Sequence, residues 1–206
     1  MKKLYTLALL ALSSFSFGQA LYEPFVYATP GYIGGNLTTA SDATGSNNWA
    51  THSNTATTGT GTIDVISGSL SYAGLATSTG NRVLLPGNNA TTPRDINRAI
   101  TVSGTTVYYS TLINVIDNTQ LSPTTPSYFM GLGTTAGASV TGLGARLGII
   151  STNSAANYRL SVQNTSGGTP TFTENAVDLT FGTTYLVVVK YDTAASPTAV
   201  TLWVNP

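Results

Sequence analysis

At 206 residues the chain is long enough for one sizeable core, and only 8% of it is charged, against about 25% in an average soluble domain. Eight basic residues balance eight acidic ones, and there is no cysteine. This composition excludes a disulfide framework, a thiolate metal site, a lipid-bearing cysteine and the basic surface that nucleic acid or an anionic membrane would need.

The first element is an export signal. MKKLYTLALLALSSFSFGQA carries Lys2 and Lys3, an apolar run over 4–12, and small residues Ser16 and Gly18 at the spacing a signal peptidase reads. The run is half the roughly 18 residues that a membrane anchor needs. A signal peptide over 1–18 is therefore predicted, with cleavage after Ala20 as the alternative. Loss of Lys2 and Lys3 leaves six basic and eight acidic residues, a mature net charge of −2, and a secreted product with no membrane insertion.

Beyond the signal no segment repeats apolar residues at helical spacing, whereas alternating β-branched and aromatic runs recur between Gly, Asn, Ser and Pro clusters. Strands are predicted at 22–27, 61–66, 69–75, 81–85, 99–102, 106–116, 127–132, 145–150, 158–163, 184–191 and 199–204. Loops are predicted at 36–60 and 86–93. This is an all-β domain over 19–206, with two packed antiparallel sheets the expected arrangement. Leu75, Ile113, Val115, Leu160, Val187, Val189 and Leu202 form its predicted core. In TVYYSTLINVI the face carrying Val107, Tyr109, Thr111, Ile113 and Val115 points inward, and Tyr108 belongs to the opposite face. In the closing hairpin Val200, Leu202 and Val204 share one face, and Thr201, Trp203 and Asn205 the other.

LYEPFVY followed by a glycine-rich turn and Trp49, ISGSLSYAGL with GNRV, TVYYSTLINV, YFMGL, ARLGI, and TYLVVVKYD with TLWVNP occur in an order that resembles the concanavalin A-like lectin/glucanase, or laminin-G-like, domain of secreted bacterial proteins. The resemblance covers most of 21–206. It implies a jelly-roll sandwich, and a function among lectins, glycan hydrolases and lyases, adhesive modules and domains without a ligand. It also implies further strands after the hairpin and a C-terminal sorting segment, so Pro206 is expected to be an artificial end and the sandwich incomplete at its C-terminus.

The chemistry-bearing residues are sparse. The alternating Glu, Asp, Glu strand of the glucanases is missing, and the two glutamates, Glu23 in the first predicted strand and Glu174 in a predicted loop, stand far apart in sequence. The single histidine, His52, is read as a solvated loop residue. GLGTTAG and GLGAR have no following helix and are read as turns. A structural calcium, which the resembling lectins often hold at loop ends, would take Asp192 and Asp42, against their reading as turn caps. Among the aromatics Trp203, flanked on its face by Thr201 and Asn205, is the candidate for stacking on a sugar, with Asn205 and Tyr108 assisting. The expected function is a secreted, non-catalytic module that binds glycan or another extracellular surface polymer. The rivals are an enzyme whose catalytic residues lie outside this chain and a structural spacer.

Overall fold

The computed structural model describes residues 19–27, 31–33, 49–53, 61–85, 87, 94–152, 156–164 and 171–206. The predicted signal peptide, Asp42 and most of the two predicted loops lie outside these residues. The described residues contain no helix. They form thirteen strands: β1 (Gly31–Ile33), β2 (Ala50–Ser53), β3 (Ile63–Ile66), β4 (Arg82–Leu84), β5 (Asp95–Asn97), β6 (Thr106–Asn114), β7 (Ser127–Gly133), β8 (Leu143–Ser151), β9 (Asn157–Gln163), β10 (Thr173–Glu174), β11 (Leu179–Thr180), β12 (Thr184–Asp192) and β13 (Ala199–Val204).

All pairings are antiparallel and no sheet closes. The sheet orders are β13-β12-β6, β10-β9-β8-β7 with β11 also on β9, β1-β3-β4, and β2-β5. The two larger sheets share one apolar cluster. Ala145, Leu147, Tyr158, Leu160 and Val162 come from β8 and β9, and Val187 and Val189 from β12. Contacts run from β12 to β8 and from β13 to β9. The alternation in β12 explains this. Val187 and Val189 are fully buried while Val188 and Lys190 on the other face are only partly so. Gly144 lets the second sheet approach, since a Cβ there would stand 2.8 Å from the Tyr191 hydroxyl. Next to it Ala145 is fully buried at φ +46°, a left-handed conformation that alanine rarely adopts. Its carbonyl accepts a 2.6 Å hydrogen bond from Tyr109.

A second, smaller cluster gathers Phe25, Trp49, Val83 and Ile96 around Ile63 and Val65.

The core expectation holds for Leu160, Val187 and Val189, which are fully buried, and for Ile113, Val115 and Leu202, which are partly buried against the same cluster. Leu75 is a correction. It is 49% exposed, in a turn where its amide donates to Tyr72 O and Gly74 has φ +91°. The predicted strands at 69–75 and 99–102 are absent, and Ile100 and Val102 are exposed. Segment 22–27 is no strand either. Its carbonyls at Phe25 and Tyr27 are taken by the Asn81 side chain at 2.9 and 3.0 Å, and Phe25 at φ +50° breaks the extended run.

Burial of Tyr109 raises its phenol well above the ordinary value. The unfolded tyrosine ionises near pH 10 and the folded one does not. Its contribution is therefore intact below about pH 10 and lost as pH rises further, by about 1.4 kcal/mol per pH unit until the folded phenol ionises. Tyr109→Phe is expected to flatten this alkaline decline in urea unfolding, while costing about 1 kcal/mol at neutral pH because Ala145 O loses its donor. Equal slopes for the two proteins would contradict the assignment.

Candidate functional site

The outward face of β6, β12 and β13 follows from their register. Tyr108, Lys190 and Thr201 form one row across the three strands, and Ser110, Val188 and Trp203 form the next. Tyr108 is 60% and Trp203 38% exposed, and Ser110 and Thr201 are exposed with them. Isolated exposed aromatics are ordinary, but two on one sheet face with a hydroxyl side chain beside each make an amphipathic platform. Its only charges are Lys190 and Asp192, which pair with each other at 3.2 Å.

Asn205, expected to assist Trp203, has φ +52°, accepts from Leu186 N through its side-chain oxygen at 3.0 Å and donates its backbone N–H to Leu186 O. It closes the hairpin, with its amide nitrogen left for other partners. Asp192 accepts from Lys190 through one oxygen, and through the other from the amides of Ala194 and Ala195 at 3.1 and 3.3 Å. The Lys190 ammonium, with these amides, holds its carboxyl below the ordinary range. In this structure Asp192 therefore serves as a turn cap paired with Lys190. The described residues contain no group of three or more His, Asp or Glu able to hold a metal.

The other tryptophan is packed. Trp49 stacks on Phe25 with ring centroids 6.2 Å apart, and its Nε1 donates to Glu23 Oε2 at 3.2 Å. Glu23 is a hub. The same oxygen accepts from Tyr27 at 3.0 Å and pairs with Arg98, and Oε1 accepts from Phe25 N at 2.8 Å. The Glu23 side chain is only 11% exposed. This one carboxylate ties residues 22–27 to positions 26 and 75 residues further along the chain.

A second polar group lies on the outward face of β7 to β10. Tyr128, Gly148, Ser161 and Glu174 share a row. The Arg146 guanidinium lies 4.5 Å over the Tyr128 ring and donates to Gln163 at 3.0 Å. Glu174, expected in a loop, is on β10, and it shares Arg159 with Asp178, at 3.7 and 2.6 Å. These three side chains line a groove of about 350 Å³ with Pro123, Ile150, Ser151 and Thr152. A glycosidase needs one carboxyl kept protonated opposite a second. Here both carboxylates are open to water and share one cation, which is the arrangement of an ion-pair tie. Sequence reasoning missed the group. ARLGI and YRLSVQ do place Arg146 and Arg159 on one face by alternation, but the pairing that brings Glu174 and Asp178 to Arg159 carries no sequence signal.

His52 is not a solvated loop residue. It lies on β2, half-buried, with Nδ1 3.1 Å from Asn97 Nδ2. Its neighbour Ser53 donates to Asp95 at 2.7 Å, so serine and carboxylate meet without the histidine between them, and no triad forms.

In comparisons with family models, curated proteins and solved structures, no match to this chain is found.

The Glu23 hub sets a stability expectation. Glu23→Ala leaves the Arg98 guanidinium without its anion and Trp49 Nε1 and Tyr27 without an acceptor, and is expected to cost about 3 kcal/mol. Glu23→Gln, which keeps an acceptor oxygen, is expected to cost less. Urea unfolding of both variants checks this, and a loss below about 0.5 kcal/mol for the alanine variant would refute the hub.

Proposed function

We propose that this chain is a secreted, non-catalytic β-sandwich module of the concanavalin A-like or laminin-G-like kind, exported by its N-terminal signal and acting outside the cell on a glycan or surface polymer. Its binding surface is the outward face of β6, β12 and β13. The observation that carries the reading is the pair of exposed rings, Tyr108 and Trp203, on one face with Ser110 and Thr201 beside them. Sugars present C–H faces that stack on such rings and hydroxyls that bond to such neighbours. Two further observations support it. The larger sheets share one core, as a sandwich requires, and the ionisable groups in the groove are tied to one another and not arranged as acid and base.

Trp203 is the residue to test. In β13 it projects away from Leu202 and Val204, so Trp203→Ala removes contact area from the platform with little loss from the core. A glycan array on the wild type followed by calorimetry is expected to find a bound glycan and a loss of about 2 kcal/mol, or roughly thirtyfold, in the variant. Thermal melts are expected to remain within a few degrees of wild type. No glycan bound by the wild type, or unchanged affinity in the folded variant, would reject the proposal.

A further inference from the structure

The geometry points to an extended, uncharged polysaccharide as the ligand of the β6–β12–β13 face, held at two separated sugars by Tyr108 and Trp203. This inference rests on the glycan-binding reading above and specifies the ligand class.

Tyr108 pairs across to Lys190, and Trp203 to Val188, two positions earlier on the same strand. The two aromatic residues therefore stand two strands apart and one side-chain step apart along the strands. Standard sheet dimensions make that about 10 Å across and about 7 Å along, or about 12 Å corner to corner. A pyranose ring is no wider than the phenol ring it would stack on, so one sugar cannot reach both. A chain that bridges them crosses β12 obliquely between Lys190 and Val188, with Ser110 and Thr201 at the other two corners.

Charge selects the chain further. Lys190 is the one cation among the residues of this face, and it is paired with Asp192. The face therefore holds no uncompensated charge to recognise a uronate, a sulfate ester or an amine, and it complements a neutral chain. The groove is on the other large sheet, lined in part by residues of β8, β9 and β10. A face with two separated ring contacts gains affinity from ligand length, because each contact holds the chain close for the other.

The test uses the full chain and oligosaccharides of increasing length from each of several neutral polymers, glucan, xylan, mannan and chitin, with alginate and heparin as acidic counterparts. For the neutral series that binds, calorimetry is expected to show affinity at least about tenfold higher for the hexasaccharide than for the disaccharide. Tyr108→Ala is expected to remove most of that gain while leaving the disaccharide held by Trp203 within about twofold. Thermal melts verify that the variant is folded. Equal affinity for short and long neutral chains, an unaffected gain in the folded Tyr108→Ala, or binding confined to alginate or heparin would overturn this inference and leave glycan binding standing. No binding to any of these polymers would overturn both.

Discussion

The structure depends on β12 being saturated on three sides. Both of its edges are hydrogen-bonded, one to β6 and the other to β13. Its inward side chains, Val187 and Val189, are fully buried against the second large sheet. A strand satisfied in this way cannot slip by one residue, because the slip would carry both valines to the solvent side and bring Val188 and Lys190 into the core. Each buried valine contributes about 1.5–3 kcal/mol of apolar transfer, and a buried ammonium would cost several.

That constraint also positions the outward face. Once Val188 and Lys190 are fixed, Tyr108, Ser110, Thr201 and Trp203 follow by pairing, and none of them needs a contact of its own to hold its place. The ends of the platform are secured separately. Asp192 caps the turn into β13, Thr193 bonds to Thr105 O, and Asn205 bonds to Leu186 at the other end. Polar groups around the platform are thus used for geometry, while Tyr108 and part of Trp203 stay open to solvent. The opposite large sheet is organised the other way, with its outward side chains tied together as Arg146 with Tyr128 and Gln163, and Arg159 with Glu174 and Asp178.

The parts of the fold legible in the sequence are those where one strand's own alternation decides its state. TVYYSTLINVI and TYLVVVKYD each run long enough for period 2 to identify a buried face, and both strands appear at the expected positions. Strands of two to four residues such as β1, β2, β5, β10 and β11 have too few alternations to read and exist because a partner pairs with them. SYAGL failed for the opposite reason. Its apolar content resembles a strand, but Gly74 turns the chain and leaves Leu75 exposed. On the candidate site, Trp203 and Tyr108 were legible because each lies on the polar face of a long strand. Their spacing was not, since it depends on the pairing of both strands with β12. The Glu23 hub was hidden altogether, because Trp49 and Arg98 reach it from distant segments with no periodic relation to it.

The central claim is that β12 is the fixed spine from which the platform takes its geometry, and native-state hydrogen exchange tests it most directly. Amides of Val187 to Tyr191, bonded to β6 and β13 on the two sides of a central strand over a buried core, are expected to exchange only through global unfolding, with the same opening free energy as the core amides of β8 and β9. Amides of the short β2–β5 pair are expected to open more readily. Exchange of the β12 amides at the rate of the β2–β5 pair, well before the β8 and β9 amides, would contradict the account.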